Sequence, residues 1–317
     1  MKKSSLPVRS AQPGLFDLDP SQMTAGLPPT VRRVVETSND ILQDPAEQTD
    51  FLHAILCQVG MPRSATRDRH FERANGSATM RLEAGAMYDG KRFVEQPLPY
   101  GVKPRLIMVH IGSKAVRTRS PEIEIGHSTR EFMQALGLDT NGQSYAGIKK
   151  HINALAHCRM SLGWKTGNRV NTLHTQPIER FEAWLHPTGR QAVMWPGVLT
   201  LSAPFFETML EYAVPLDHRA LSALKHSALA LDVYSWLAHR LYRIDRRKTA
   251  MLSWGNLRQQ FGQEYGDAKN FKKAFRIALR QAQAVYPDAA IEEIVGGLRL
   301  RSSPPPIRQA RIALASS

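Results

Sequence analysis

Five cations, Lys269, Lys272, Lys273, Arg276 and Arg280, recur at helical spacing near the end of the chain. On a helix advancing about 100° per residue, with Lys269 as zero, the other four fall at about 300°, 40°, 340° and 20°. Phe271, Ala274, Phe275, Ala278, Ala282 and Val285 fall between about 140° and 240°, on the opposite face. A narrow stripe of like charge repels itself at i,i+4. The chemistry it suits is neutralisation of a polyanion, and phosphates fit because counterion release adds to the affinity. The plainer alternative is a solvated basic face, as charge runs commonly are.

The stretch Leu252 to Arg301 supplies the elements that must hold this stripe. Trp254, Leu257 and Phe261 line one face of a first helix, with Ser253 as N-cap and Gly262 at its end. Asp267 caps a second helix that runs to about Tyr286, where Pro287 follows. Ala290–Val295 and Leu298–Arg301 flank Gly296-Gly297, a pair suited to a tight hairpin turn. Helix, turn, helix and hairpin make the winged-helix plan.

A second copy of that plan is expected over Glu122–Leu185. Glu122–Ile125 reads as a strand. Ser128 and Glu131 form a capping box for a helix that ends at Gly137, and Asp139–Gly142 has turn chemistry. The next helix runs from Ser144 to about Cys158, with Ile148, Ile152 and Leu155 inward and Lys149, Lys150 and Asn153 as its polar complement. The hairpin Met160–Trp164 with Val170–Leu173 follows as its wing. Its tip, Lys165 to Arg169, is placed to touch phosphate or the minor groove.

Elsewhere the pattern predicts a short helix through Phe51, Leu52, Ile55 and Leu56, and a strand over Ser77–Tyr88. A helix opens with Pro104 at its first position and contains His110 as a packed core histidine. Further hairpin strands are expected at Phe181–Leu185 and Gln191–Trp195, then a strand at Val198–Leu201 and a helix at Ala203–Tyr212. One long core helix is expected within Asp217–Ile244. Its basic end, Arg240, Arg243, Arg246, Arg247 and Lys248, leads into the module at Leu252. Between Arg219 and Arg280 thirteen Lys/Arg stand against four Asp/Glu, so this half concentrates the charge excess.

The chain has 317 residues, room for two domains, and carries a net charge of +14. Such a charge points to a polyanionic partner. No apolar run is long enough to span a bilayer and no signal-like h-region follows Met1-Lys2-Lys3, so a cytoplasmic, non-membrane protein is expected. Cys57 and Cys158 lie far apart without a CxxC and are expected to be reduced, buried and inert. The eleven histidines form no HExxH or paired Cys/His spacing, so no metal or other cofactor is expected. There is no GxxxxGK[ST] loop, no His-hydrophobe-His pair and no carboxylate cluster, so no enzyme activity is expected.

Residues 1–48 read as a disordered N-terminal arm, broken by Pro7, Pro13, Gly14, Pro20, Gly26, Pro28 and Pro29. Within it Gln12-Pro13-Gly14-Leu15-Phe16 resembles the QxxLF peptides that dock into bacterial sliding clamps, with Gln12, Leu15 and Phe16 as anchors. Pro13 and Gly14 depart from the usual central residues. Residues 302–317, opening with Ser302-Ser303-Pro304-Pro305-Pro306, read as a tail.

Val214-Pro215-Leu216-Asp217, Ser227-Ala228-Leu229-Ala230-Leu231-Asp232, Trp236-Leu237-Ala238-His239-Arg240-Leu241, Phe261-Gly262, Gly296-Gly297-Leu298 and Ser303–Pro306 form an ordered set. Together they resemble bacterial plasmid replication initiators of the RepA type over roughly Pro97 to Ile307. The resemblance implies an α+β chain of two tandem winged-helix domains, drawn here as 49–190 and 191–301. The first is expected to self-associate and contact DNA weakly; the second is the main reader of double-stranded DNA at directly repeated origin sites, called iterons. It further implies recruitment of the host initiator protein and replicative helicase, in some members the sliding clamp, a monomer–dimer balance, and repression of the chain's own gene.

Carried onto this sequence, Lys269, Lys272, Lys273, Arg276 and Arg280 face DNA. Arg276 is the candidate for a bidentate guanine contact. Asn270 is a candidate adenine reader, Lys269 and Lys272 suit phosphate, and Arg299 and Arg301 anchor the wing. In the first domain Lys149, Lys150, Lys165 and Arg169 are the contacts. The rival reading is a dimeric winged-helix transcription regulator on a palindromic operator. Tandem non-identical modules favour direct repeats, because one chain already spans a half-site pair.

Overall fold

A computed structural model describes residues 28–126, 128–140, 142–186 and 193–307. Gln12, Leu15 and Phe16 lie outside them, as does most of the expected C-terminal tail. The arm expected to run to residue 48 is not wholly irregular: helix α1 spans Pro29–Gln43, with proline in its first turn. Proline lacks an N–H that the first turn leaves unpaired anyway, so Pro29 starts the helix instead of breaking it. Val34 is buried, and Arg33 donates to Ser222 Oγ at 3.1 Å.

Strand β1 (Thr49–His53) and helix α2 (Ala54–Gln58) occupy the segment expected to be one helix. A run this short is ambiguous by periodicity. Its first half is drawn out by pairing antiparallel with β11 (Ala213–Asp217), Thr49 opposite Asp217. The strand expected over Ser77–Tyr88 divides into β3 (Ala78–Glu83) and β4 (Ala86–Tyr88). Gly85 lies between them, where a Cβ would stand 2.0 Å from the His157 carbonyl. β3 pairs with β2 (His70–Asn75), and β4 pairs with β5 (Phe93–Glu95).

Two runs of chain then follow the same plan. In the first, helix α3 (Val102–Thr118) precedes β6 (Glu122–Glu124), α4 (Thr129–Ala135) and α5 (Gly142–Ala156). Pro104 is the third residue of α3 and not the first. Ser128 accepts from Glu131 N at 3.2 Å to cap α4, and Gly137 takes φ +63 beyond its end. The plan closes with a hairpin, β9 (Ile178–His186) and β10 (Val193–Leu201), in strand order β6-β10-β9. In the second run, α8 (Ala228–Leu241) precedes β12 (Thr249–Ser253), α9 (Trp254–Phe261), α10 (Ala268–Ala284) and the hairpin β13 (Ile291–Ile294) and β14 (Gly297–Arg301). The order is β12-β14-β13, so in both runs the strand before the helix pair adds to the second strand of the closing hairpin.

The hairpin expected as the first wing, β7 (Arg159–Thr166) with β8 (Arg169–Thr175), is an insertion. It pairs through β3 into a separate sheet of order β2-β3-β7-β8. Strands β9 and β10, which close the first plan by pairing with each other, lie on either side of residue 190, where a domain division was expected. Between the runs lie α6 (Ala203–Glu211), β11 and α7 (His218–Leu224). The single long helix expected over Asp217–Ile244 is α7 and α8. Ser227 caps the second by accepting from Ala230 N at 3.2 Å, and such a cap requires a non-helical backbone.

One buried ionic network ties the two runs together. All five N–H groups of Arg105 on α3 are bonded: Nε and Nη2 to the Asp232 carboxylate of α8 at 2.6 and 2.8 Å, the rest to the carbonyls of Met61, Pro62 and Gly101. Arg63 reaches Asp232 and the Phe261 carbonyl, and its backbone N–H donates to Glu264 at 3.0 Å. Arg73 on β2, 1% exposed, bonds Glu264 at 3.1 Å and the Gly60 carbonyl at 2.9 Å. Burial lowers the Arg73 pKa to about 10. A Cβ on Gly60 would meet Asp232 Oδ2 at 2.5 Å, so the close approach requires glycine. Both cysteines are free and buried, and burial pushes the Cys158 thiol up to about 12.

Asp232→Ala leaves Arg105 buried without its counter-charge, a loss of about 3–5 kcal/mol for such pairs. Urea unfolding of the purified variant measures it; a loss under about 1 kcal/mol, the scale of exposed pairs, contradicts the network's role.

Burial holds His53, His110, His151 and His239 at about 4. For these groups the unfolded chain binds protons first, so stability falls as pH drops from about 6.5 toward 4. His218 has the opposite sign: its bond to Asp50, 2.7 Å, raises its pKa, so its contribution is present below about 6.5 and lost as pH rises. The urea midpoint is therefore expected to fall across that acid window with the same slope in wild type and in His218→Gln, the variant lying lower below about 6.5 and approaching wild type as pH rises above it. A flat midpoint contradicts the burial of the four rings.

Candidate nucleic-acid interface

Helix α10 is placed by its cap and its apolar face. The Asp267 carboxylate accepts from Asn270 N at 2.7 Å. Phe271, Phe275, Ala278, Leu279 and Ala282 are buried. Phe275 packs against Phe261 and Trp254 with ring centroids 5.4 and 6.0 Å apart, Phe271 against Tyr265 at 5.8 Å, and Trp236 of α8 meets Phe261 at 5.4 Å. This aromatic block sets the depth of the helix. It follows from the apolar spacing in the sequence.

The outward side of α10 divides in two. Lys272 and Arg276 turn toward Trp254, with Nζ and Cζ at 5.3 and 5.2 Å from its ring. Arg276 also pairs with Glu293 of β13, Nη2 to Oε1 at 2.5 Å and Nε to the same oxygen at 2.9 Å. The hydrogen bond to Glu293 raises the Arg276 pKa. The residue expected to read guanine is thus held against the hairpin. Asn270, Lys273, Ile277 and Arg280, spaced three, four and three residues apart, form the other side, and all four are exposed. Lys269 is exposed on the first turn.

The hairpin is drawn close by Gly297, whose added Cβ would stand 1.9 Å from the Leu252 carbonyl, while Gly296 turns at φ +91. Val295 at the tip is fully exposed. Arg299 pairs with Glu292 at 2.9 Å, and Arg301 is exposed at the opposite end of the sheet, facing Thr249 across the register. The sequence reading missed the part of Glu292 and Glu293. Their position just ahead of the turn was the signal, since the tight turn sets Glu293 beside the cationic helix and Glu292 across from Arg299.

In the first run Lys149 is half-buried on α5, and burial lowers its pKa. Lys150 lies over the Tyr100 ring at 5.3 Å and bonds its hydroxyl at 3.3 Å. Lys165 and Arg169 are exposed at the β7–β8 tip, away from the hairpin that closes on β6. That tip runs beside the β2–β3 turn, where Lys165 N donates to Ser77 O at 2.9 Å. Asn75–Ser77 face Arg240, Arg243, Asn256 and Gln259 across a groove of about 490 Å³. Among the described residues no group of His, Cys, Asp and Glu is arranged to hold a metal ion, and no helix is long and apolar enough to cross a membrane.

The sequence profile of the family described as plasmid-encoded RepA protein matches residues 98–256. The chain therefore belongs to the plasmid replication initiators of the RepA type. The match runs from just before α3 into the first turn of α9 and stops short of α10. Among solved structures, domains 2 and 3 of RctB are similar at 14% identity and a TM-score of 0.45, over 72% of this chain and 82% of that one. A selenomethionine form of the same domains gives 13% and 0.49, over 84% and 99%. No curated protein matches.

If Arg276 alternates between Glu293 and a phosphate, Glu293→Gln frees it for DNA. The slope of log affinity against log salt is then expected to steepen by about 0.9 on a duplex of unrelated sequence. Fluorescence anisotropy across salt measures this; an unchanged slope makes Arg276 a support of the hairpin and not a DNA contact.

Proposed function

We propose that this RepA-type initiator binds directly repeated sites in double-stranded origin DNA, and that its two helix–strand–helix–helix–hairpin runs are winged-helix modules. The carrying observation is α10: Lys269, Lys273 and Arg280 stand exposed on a helix fixed from behind by an aromatic block. Charge of one sign on a rigid, protruding helix fits a major groove, which admits one helix and is bordered by phosphates. Lys269, Lys273 and Arg280 neutralise phosphate. Asn270 and, when released from Glu293, Arg276 reach base edges. Arg301 and Arg299 support the hairpin against the backbone.

The first module, with Lys149 and Lys150 partly engaged in the fold, contributes weaker contact and self-association. Lys165 and Arg169 extend a separate hairpin toward the same partner. We place the division between the modules after β10, near residue 201, so that β9–β10 stays whole. Recruitment of the host initiator and helicase, clamp binding through Gln12, Leu15 and Phe16, and repression of the chain's own gene complete the reading.

Footprinting the full chain on DNA flanking its own gene tests this. The expected result is protection at regularly spaced direct repeats, weakening steeply with salt and lost in Lys273→Ala/Arg280→Ala. Protection of a single palindrome would instead make the protein a dimeric regulator.

A further inference from the structure

Ile277 stands out on α10. It is 51% exposed at the tenth of seventeen helical positions, although the apolar face of the helix is already buried elsewhere. Single exposed aliphatics are common on protein surfaces. This one sits within a ridge whose neighbours, Lys273 at i−4 and Arg280 at i+3, are exposed cations. The flanking cations Lys272 and Arg276 are turned away to Trp254 and Glu293. An apolar protein surface covering Ile277 would bury Lys273 and Arg280 without counter-charge, which is costly. The occupant that fits is a polyanion with an apolar spot between its charges. In the major groove that spot is the 5-methyl group of thymine.

We propose that Ile277 is a specificity-determining residue that contacts a thymine methyl, at the centre of a reading ridge formed by Asn270, Lys273, Ile277 and Arg280. The proposal rests on α10 being the reading helix. The sequence pattern pointed to Arg276 for the central base contact; the geometry points to its neighbour. Helix α10 spans about 26 Å, twice the width of the groove, so a mid-helix residue is the one set over the bases while the ends meet the backbone.

The test uses the full chain and duplexes it selects from a random library. Recovery of a consensus establishes sequence reading; no consensus removes the role of α10, and this proposal with it. In the selected duplex each thymine is then replaced singly by uracil, which deletes only the methyl. Wild type is expected to lose about four-fold in affinity at one position, the scale of one buried methyl. Ile277→Ala is expected to bind both duplexes equally, with a melting temperature near that of wild type because the residue lies outside the buried face of the helix. Ile277→Val should retain the discrimination. A consensus with no uracil-sensitive position, or one whose sensitivity persists in Ile277→Ala, overturns the assignment.

Discussion

The two-run architecture depends on one buried carboxylate. Asp232 is the fifth residue of α8, 7% exposed, and accepts two bonds from Arg105 of α3. A carboxylate there is costly to bury unless its charge and lone pairs are met in full. Meeting them requires Gly60 to lack a side chain, the chain to turn at Met61–Pro62 so that its carbonyls reach Arg105, and Arg63 to lie across toward Phe261. The same segment carries the backbone N–H groups that hold Glu264, in the turn between α9 and α10. The pitch of the basic helix is thereby tied to the first run and not only to its own core.

Opposite the network, the surface around α10 is electrostatically tempered. On the hairpin, Glu293 pairs with Arg276 of the helix and Glu292 pairs across the strands with Arg299. Such exposed pairs add little stability. Their effect is positional: they hold two long cationic side chains near the hairpin while Lys273 and Arg280 remain outward. A polyanion arriving at this surface competes with carboxylates for Arg276 and finds the outer cations unpaired. The two halves of the stripe thus differ in availability, although each pairs a lysine with an arginine.

The repeated plan carries unequal chemistry. Both runs end in a three-stranded sheet of matching order, yet α10 presents its cations to solvent while α5 engages Lys150 with Tyr100 and half-buries Lys149. An insertion, β7–β8, separates α5 from its closing hairpin and moves Lys165 and Arg169 into another sheet. One helix pair thus leaves cations open to solvent, while the other engages Lys150 with Tyr100 and half-buries Lys149. This division agrees with the concentration of positive charge in the second half of the sequence.

Local signals sufficed wherever a structure is set by neighbours in the chain. Ser253, Asp267 and Ser128 cap the helices expected of them, Gly137 ends α4, and Gly296-Gly297 turns the last hairpin, because capping and turn chemistry act within a few residues. The cationic stripe and apolar face of α10 followed from 3.6-residue periodicity alone. Partner choice did not. Whether 51–56 is strand or helix was decided by β11, some 160 residues away, and which hairpin completes the first sheet was decided by β6. The Arg105–Asp232 pair joins residues 127 apart, and no local pattern marks such a match. At the interface, sequence settled which residues share the face of α10. Only the packed hairpin, by setting Glu293 beside Arg276, decided that Asn270, Lys273, Ile277 and Arg280 are the ones left outermost, since side-chain direction answers to charges brought near by folding.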